Sequence, residues 1–239
     1  MRPYYEEDGI VIYHGDCRQI LPSLSADCIL TDPPFSERTH AGHNASANGQ
    51  IGAGRDRAAR RELGYSALSP SEAGELAVLF SESCSGWMVV MTDHTLTPHW
   101  CSTLEAVGRY VFAPLPYFAP GSTVRLSGDG PCSWTTWLIP SRTTKQAKWG
   151  TLPGGYVAQP GWVSSHQRMG GKPEGLMRCL VSDYSREGDL VLDPFMGSGT
   201  TLVAAKNLGR RAIGIEIEER YCEIAAKRLA QGVLPLEAA

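Results

Sequence analysis

Several kinds of signal are missing from this sequence, and each absence excludes a class of protein. No apolar run approaches the length that a helix needs to cross a bilayer, which argues against an integral membrane protein. The opening residues, Met1 to Glu7, are polar and acidic, so we expect no secretory signal. The 7 cysteines are odd in number and include no Cys-x-x-Cys pair. They are typical of reduced, mostly buried thiols in a cytosolic protein and not of a disulfide framework.

The chain also lacks an excess of basic residues, since its formal net charge is -3 at pH 7. Its cations are nevertheless clustered, in a stretch without acids from Ser141 to Lys172 and in a second stretch from Arg55 to Arg61. The residues that these clusters offer to nucleic-acid phosphates are Arg55, Arg57, Arg60, Arg61, Arg142, Lys145, Lys148 and Arg168. On charge alone, two solvated loops remain the alternative.

Histidines are few, and none has the partners that a metal site requires. His40 with His43 and His94 with His99 are the pairs to consider, but no cysteine or acidic residue stands at a matching spacing. Protein zinc sites need three or four such ligands. We therefore predict no metal site.

Strand and helix patterns alternate along the 239 residues, with no internal repeat. Short apolar runs bounded by turn residues predict strands at 10–13, 28–30, 87–91, 190–192 and 212–215, and a hairpin at 110–118 and 134–139. Helices are predicted at 18–24, from 69 onward, and at 99–107, 173–184, 200–208 and 218–229. This alternation indicates one α/β domain over residues 1–239, with a mostly parallel sheet covered on both faces.

Two segments interrupt this pattern. Residues 36–64 are polar and rich in Gly, Ala, Asn and Arg, which predicts a long mobile loop. Residues 141–168 have weak periodicity, several glycines and prolines, and aromatic residues that look exposed. Long loops inside a compact domain are usually functional or disordered, so both segments are candidates for binding a partner.

A glycine-rich turn near the C-terminal end has the layout of a cofactor site. The run from Asp193 to Thr200 (DPFMGSGT) follows a predicted strand and opens a helix. Glycines allow the backbone to approach a ligand closely, and the helix N-terminus offers it unpaired N–H groups. The next strand ends at Glu216, at the offset where an acid can bind ribose hydroxyls. Position 202 is Leu, so the full Gly-x-Gly-x-x-Gly fingerprint is missing, and a purely structural turn is the alternative.

The run Asp32-Pro33-Pro34-Phe35 stands at the end of another predicted buried strand, where open α/β sheets place their ligands. Consecutive prolines fix the backbone and remove two donors, so the carbonyl groups point in set directions. An acceptor carboxylate, a rigid carbonyl and an aromatic face could together hold a planar base that carries an amino group. The alternative is an ordinary Asp-Pro turn with the phenylalanine in the core.

In combination, these motifs resemble those of the amino-methyltransferase family of DNA-modifying enzymes. That family has an Asp/Ser/Asn-Pro-Pro-Tyr/Phe/Trp catalytic motif and a Phe-x-Gly-x-Gly cofactor motif, which correspond to residues 32–35 and 195–199. The catalytic motif comes first, as in the circularly permuted β class. Gly15-Asp16 and the stretch from His166 to Pro173 match further family elements, although Gln167 replaces the usual Pro and two glycines precede Lys172.

The resemblance implies a Rossmann-like methyltransferase fold with S-adenosyl-L-methionine as its cofactor. It assigns catalysis to Asp32, Pro33, Pro34 and Phe35, and cofactor contacts to Asp16, Lys172, Asp193, Phe195, Gly197, Gly199, Thr200 and Glu216. Asp16 could instead cap the helix that follows it. Residues 141–168 become a short candidate target-recognition segment, double-stranded DNA becomes the substrate, and a cytoplasmic protein of prokaryotic or phage origin is expected.

The implied reaction is methylation of the exocyclic amino group of a base that has been flipped out of the duplex. Within the family, Asp at the first motif position accompanies adenine-N6 activity more often, and Ser accompanies cytosine-N4 activity. Adenine N6 is therefore the expected target, and cytosine N4 is the first alternative.

Two other classes remain. A catalytically idle nucleic-acid-binding module would have no need for the carboxylate of Asp32, and a nicotinamide oxidoreductase would be expected to keep the full glycine fingerprint. The sequence leaves open the DNA site recognised, the presence of a homodimer and the presence of a cognate restriction enzyme.

Overall fold

The fold is built on one large sheet with helices against both faces. It is described by a computed structural model for residues 2–40, 66–119, 136–143, 149–160, 162 and 171–231. In those residues the strands are β1 (Tyr5–Glu7), β2 (Ile10–His14), β3 (Ala26–Thr31), β4 (Cys84–Thr92), β5 (Tyr110–Val111), β6 (Leu115–Phe118), β7 (Thr136–Arg142), β8 (Tyr156–Val157), β9 (Leu190–Asp193) and β10 (Arg211–Glu216). The helices with both ends described are α1 (Cys17–Ile20), α2 (Pro70–Glu82), α3 (Thr97–Ala106), α4 (Glu174–Tyr184), α5 (Thr200–Asn207) and α6 (Glu219–Ala230), with a 3-10 turn at Leu21–Ser23.

The strand order is β1-β2-β10-β9-β3-β4-β7-β6-β8, and β5 also pairs with β7. The central strands β2, β10, β9, β3 and β4 are parallel, whereas β1 and β7 add antiparallel flanks. This confirms the predicted Rossmann-like α/β fold with a parallel centre. The predicted hairpin is present as β6 against β7. Its first strand is divided into β5 and β6, with Pro114, which has no N–H for a ladder, between them.

Successive side chains of the central strands enter two separate cores, because neighbouring residues of a strand point to opposite faces. Cys28 and Leu30 of β3 lie in the core that α4, α5 and α6 cover. Ile29, between them, lies in the core that α1, α2 and α3 cover. Burial on both faces explains why these strands are near-continuous apolar runs in the sequence.

The described cysteines are free thiols, and Cys17, Cys28, Cys84 and Cys222 are buried, as predicted. Burial raises the pKa of the Cys28 thiol well above its ordinary value, which keeps it protonated and unreactive. Within the described part of the chain, no helix is both long enough and apolar enough to span a membrane.

All the central parallel strands end at the same edge of the sheet. The last residues of β2, β3, β4, β9 and β10 are His14, Thr31, Thr92, Asp193 and Glu216. The segments that follow these residues are therefore neighbours in space although they are far apart in the sequence. Ligands of open α/β sheets bind outside this edge.

Gly199 is required for the packing of the glycine turn and α5 against α6. Its φ is 78°, in the left-handed region, and a Cβ built on it would lie 2.7 Å from the Cβ of Ala225. Gly188 has a similar φ of 82° but no heavy atom within 4 Å of the same position.

We expect Gly199→Ala to lower the free energy of unfolding by ~2–4 kcal/mol and Gly188→Ala by ~1–2 kcal/mol. Both substitutions strain the backbone, but only the first also overpacks a helix interface. Urea denaturation of the two variants measures the difference. Equal losses would show that α6 yields to the added methyl group at no cost.

Candidate active site

The catalytic and glycine motifs lie side by side at the carboxyl edge of the sheet, because β3 and β9 are paired neighbours. The contact between them is a buried hydrogen bond of 2.9 Å that the Thr31 hydroxyl donates to Asp193 Oδ1. Thr31 directly precedes Asp32, and Asp193 opens the glycine turn. Two motifs that are separated by most of the chain thus form one site.

Asp193 joins the segments that meet at this contact through its hydrogen bonds. Its side chain is 3% exposed. Oδ1 also accepts a bond from the Phe195 N–H at 3.1 Å, and Oδ2 accepts one from the Thr201 hydroxyl at 2.5 Å. The carboxylate therefore ties β3, the turn and α5 together. Burial raises the pKa of Asp193 to about 7, against the opposing effect of these hydrogen bonds. We predicted Asp193 as a cofactor residue, and a contact between Asp193 and a cofactor stays a prediction.

Asp32 is held by Lys172, whose ammonium donates a hydrogen bond of 2.5 Å to Asp32 Oδ2. The two side chains are 20% and 16% exposed, so this ion pair is largely shielded from solvent. Asp32 Oδ1 is buried and has no hydrogen-bond partner among the described residues. Burial raises the pKa of Asp32, and the charge and hydrogen bond of Lys172 oppose that rise.

Lys172 contacts the predicted catalytic motif. We predicted it only as a cofactor residue, so this contact was not expected. Its ammonium is 4.8 Å from the centroid of the Phe35 ring, within the range of a cation–π contact. One lysine thus contacts both the carboxylate and the aromatic ring of the predicted clamp. A contact between Lys172 and a cofactor stays a prediction.

The glycine turn contains one position that faces open space. Gly197 has φ 50°, and a Cβ built on it would meet no heavy atom within 4 Å. Its N–H donates to Glu216 Oε2 at 3.0 Å, while Glu216 Oε1 accepts from the Glu218 N–H at 2.9 Å. Burial raises the pKa of Glu216. Each carboxylate oxygen has two lone pairs, so Glu216 can accept further hydrogen bonds from a ligand.

The remaining predicted cofactor residues surround this turn. Phe195 packs edge-on against Phe80, with 6.4 Å between ring centroids, and is partly buried in the core under α2. Thr200 begins α5, and its hydroxyl accepts a bond of 3.2 Å from Arg228. Arg228 of α6 also donates to the Ser198 carbonyl at 2.6 Å. Sequence reasoning missed this arginine, because nothing in its local pattern links it to a turn near position 198.

Asp16 caps α1, since its carboxylate accepts a hydrogen bond of 2.9 Å from the Arg18 N–H. The capping interpretation is therefore confirmed. The neighbouring Gly15 N–H donates to the Glu216 carbonyl at 2.9 Å, which places Asp16 at the same edge as the glycine turn. A contact between Asp16 and a cofactor stays a prediction.

Asp93 is a site residue that the sequence analysis missed. It follows β4 and is 1% exposed. Its Oδ2 accepts bonds from the backbone and hydroxyl of Ser36 at 2.9 and 2.5 Å and from the Thr39 hydroxyl at 2.6 Å. Although burial raises it, these hydrogen bonds bring the pKa of Asp93 below its ordinary value. The available signal was an acid directly after a buried strand, the same pattern as Asp32.

The hydrogen bonds of Asp93 hold the start of the predicted mobile loop over residues 36–64. Of that segment, the structure describes residues 36–40, of which 37–40 are helical and are held to β4 through Asp93. Residues 41–64 lie outside the described residues, as do Arg55, Arg57, Arg60 and Arg61. Their predicted contact with nucleic acid is not tested by the fold.

In the second basic stretch, Lys145, Lys148 and Arg168 also lie outside the described residues. Arg142 is described, and its guanidinium lies 5.4 Å from the Trp87 ring centroid and 5.6 Å from that of Phe112. Since β7 runs antiparallel to β4, Arg142 is displaced along the strands away from the edge that carries Asp32. Its observed role is packing on aromatic rings, which does not support the predicted role in phosphate binding.

The histidine pairs form no metal site in the described part of the chain, where no cluster of three or more His, Cys, Asp or Glu side chains could hold an ion. His43 lies outside that part.

Comparison with known proteins agrees with this architecture. Residues 134–227 match the family model described as DNA methylase. The Type II methyltransferase M2.DpnII of Streptococcus pneumoniae is 52% identical over 68 residues, which are 28% of this chain and 25% of that protein. The Type II methyltransferase M.HinfI of Haemophilus influenzae is 50% identical over 60 residues, 25% of this chain and 17% of that protein. The matched segments thus span about a quarter or less of these relatives.

Solved structures match over nearly the whole chain. The complex of M1.HpyAVI with SAM superposes with a TM-score of 0.67 at 24% identity, over 92% of this chain and 98% of that chain. The PvuII DNA methyltransferase, described as cytosine-N4-specific, superposes with a TM-score of 0.71 at 17% identity, over 100% of this chain and 91% of that one.

The sheet order and these superpositions therefore show that the chain has the Rossmann-like α/β fold of these solved methyltransferases. The matched family model and the short stretches of high identity show that part of this chain is similar to DNA methylases, the family that its motifs resemble.

Asp193 should make the stability of the fold depend on pH. Its pKa is about 7 in the folded protein, against an ordinary value of 3.8. Because the folded pKa is raised, the contribution of Asp193 to stability is full at pH values below the ordinary pKa and is lost as the pH rises to 7. Asp193→Asn removes this dependence while its Oδ1 can still accept from Thr31 and its amide can donate to Thr201.

The free energy of unfolding of Asp193→Asn, measured relative to that of the natural protein, should rise by ~2–4 kcal/mol as the pH increases from 4 to 8. Urea denaturation of both proteins at several pH values measures this difference, in which the other titrating groups cancel. A difference in unfolding free energy that does not change with pH would contradict the assigned pKa.

Proposed function

We propose that this protein transfers a methyl group from S-adenosyl-L-methionine to the exocyclic amino group of a flipped DNA base, with adenine N6 the favoured target. The observation that carries the proposal is the buried Oδ1 of Asp32, which has no hydrogen-bond partner among the described residues. It lies beside the rigid Pro33-Pro34 segment and next to the open glycine turn. A buried acceptor without a donor is costly, so its place is explained if a ligand supplies the donor.

The residues of the glycine turn suit the cofactor. Open space at Gly197 would admit a ligand close to the backbone, and the N-terminus of α5 begins just beyond it. Glu216 has lone pairs for ribose hydroxyls, and Ile217, which is 63% exposed next to it, offers an apolar surface to a purine ring. When bound, the cofactor supplies an electrophilic methyl group carried on a sulfonium.

The clamp residues would activate the amino group. The lone pair of that nitrogen is delocalised into the base, which makes it a poor nucleophile. Hydrogen bonds from its two N–H groups to Asp32 Oδ1 and to the Pro33 carbonyl would hold it in a pyramidal, nucleophilic form, with Phe35 against the base. The nitrogen would gain a bond to the methyl carbon as the bond between that carbon and the sulfonium sulfur breaks, and the proton that the nitrogen sheds would pass to Asp32. The rate is gained from positioning and electrostatics, without a covalent enzyme intermediate.

The same arrangement argues against the other classes. An idle nucleic-acid-binding module would have no use for a buried carboxylate oxygen without a hydrogen-bond partner among the described residues, and hydride transfer to a nicotinamide does not call for an Asp-Pro-Pro clamp. Cytosine N4 is the second candidate target, because the clamp suits both amines and the PvuII enzyme of similar fold is described as cytosine-N4-specific.

The decisive experiment is incubation of DNA with the protein and methyl-labelled S-adenosyl-L-methionine, followed by mass spectrometry of the digested nucleosides. N6-methyladenine alone supports the proposal in full. N4-methylcytosine alone keeps the reaction but overturns the adenine preference. The absence of label from DNA of any sequence would overturn the proposal.

Asp32→Ala should lower the methyl-transfer rate by at least ~1000-fold, because it removes the acceptor that activates the nitrogen. Cofactor affinity should stay within a few-fold, since the carboxylate serves the base. Asp27→Ala is the matched control, because Asp27 is an exposed acid near the other end of the same strand. Single-turnover assays and calorimetry measure the two properties, and near-normal turnover of Asp32→Ala would refute the mechanism.

Gly197→Val should block cofactor binding, because its side chain would fill the open space where the backbone and the ligand approach each other. Gly188→Val carries a similar backbone strain away from any neighbour and is the control. Glu216→Ala should weaken binding by at least ~10-fold through lost hydrogen bonds. Calorimetric titration with S-adenosyl-L-methionine tests all three variants; unchanged dissociation constants for Gly197→Val and Glu216→Ala would place the pocket elsewhere.

A further inference from the structure

The ion pair of Asp32 with Lys172 gives the two oxygens of the Asp32 carboxylate different surroundings. Oδ2 accepts the lysine ammonium at 2.5 Å, while Oδ1 remains buried without a partner in the described residues. The same ammonium lies 4.8 Å from the Phe35 ring centroid. The lysine thus restrains both the acceptor and the aromatic side chain of the clamp and leaves one acceptor atom for a ligand.

A carboxylate in this position needs a nearby cation to stay ionised. Taking a charged carboxylate out of water disfavours the charged form, and an opposite charge at contact distance restores it. The partner is also held, because Lys172 directly precedes Pro173 and α4, which packs in the core beneath the site. The cation is therefore anchored next to a packed helix, which restrains the orientation of the carboxylate that it contacts.

We propose that Lys172 is a positioning residue of the methyl-transfer site, which keeps Asp32 ionised and aims its Oδ1 at the amino group of the target base. This role differs from the cofactor contact that the family resemblance implies for the same lysine. It rests on the proposed function for its catalytic consequence, whereas the ion pair itself can be tested without any activity.

The charged groups that face Asp32 set the direction of its pH dependence. Lys172 lowers the pKa of Asp32, against burial, which raises it. Asp193 is the neighbouring acid, and its own pKa is raised by burial and also by the charge of Asp32. Removal of the lysine leaves the effect of burial unopposed, so the pKa of Asp32 rises further. The ionised, active form is then lost at a higher pH than in the natural protein.

The test compares Lys172→Met, Lys172→Gln and Lys172→Arg with the natural protein. Gln keeps a hydrogen-bond donor without the charge, and Arg keeps the charge. Lys227→Met is the control, because Lys227 also pairs with a carboxylate at 2.5 Å, that of Glu223, but the two side chains are 70% and 57% exposed. The titration of Asp32 is followed by 13C NMR of its carboxyl carbon, assigned with Asp32→Asn. Single-turnover methyl transfer is measured over the same pH range.

We expect the midpoint of the Asp32 titration and the acid limb of the rate profile to move up together by about one pH unit or more in Lys172→Met and Lys172→Gln. Single-turnover rates should fall by ~10-fold or more at a pH below the new midpoint, with substantial recovery in Lys172→Arg and no change in Lys227→Met. The dissociation constant of S-adenosyl-L-methionine should stay within about three-fold.

An unchanged Asp32 midpoint in both neutral variants would overturn the proposal, as would a loss confined to cofactor affinity. These results are distinct from failure of the proposed function. If the natural protein methylates no DNA while the Asp32 midpoint still moves in the variants, the ion pair is retained and the methyltransferase assignment is rejected.

Discussion

The candidate active site depends on the pairing of β3 with β9. This pairing sets Thr31 against Asp193, and the buried hydrogen bond between them joins the end of one strand to the start of the glycine turn that follows the other. Asp32 and Gly197 are next to each other only because their strands are adjacent and parallel. The order of the motifs along the chain is immaterial to this result, since strand pairing, not chain order, decides which segments meet at the carboxyl edge.

Acids at this edge follow one sequence pattern and have different roles. Asp16, Asp32, Asp93, Asp193 and Glu216 all stand at or just after the end of a central strand. Asp16 caps a helix, Asp93 anchors the segment after the catalytic motif, and Asp193 braces the junction. Only Asp32 combines a buried cationic partner with a buried oxygen that has no partner in the described residues. A carboxylate is available for chemistry when the fold does not use all of its acceptor capacity.

The two glycines of the turn show a similar division. Both have positive φ, so both help the chain to turn tightly before α5. Gly199 is constrained by Ala225 of α6, which makes it a packing residue, whereas Gly197 faces open space, where a ligand could approach. The basic residues divide as well. Arg142 is stacked on aromatic rings, and Arg228, which has no motif around it, supports the turn through the Ser198 carbonyl.

Much of the fold and the location of the site could be predicted from the sequence, because these depend on local patterns. Apolar runs of strand length, helix caps and the glycine turn indicated a parallel α/β sheet. Asp32-Pro33-Pro34-Phe35 with Phe195-x-Gly-x-Gly indicated a resemblance to the amino-methyltransferase family. The tertiary structure decided the partners. It brought Lys172 to Asp32, tied Asp93 to Ser36 and turned Arg142 toward Trp87. Local patterns indicate which backbone conformation a segment prefers. The ionisation state and the unused hydrogen-bond acceptors of a side chain depend instead on neighbours from distant segments. Only the packed sheet brings those neighbours within hydrogen-bond distance.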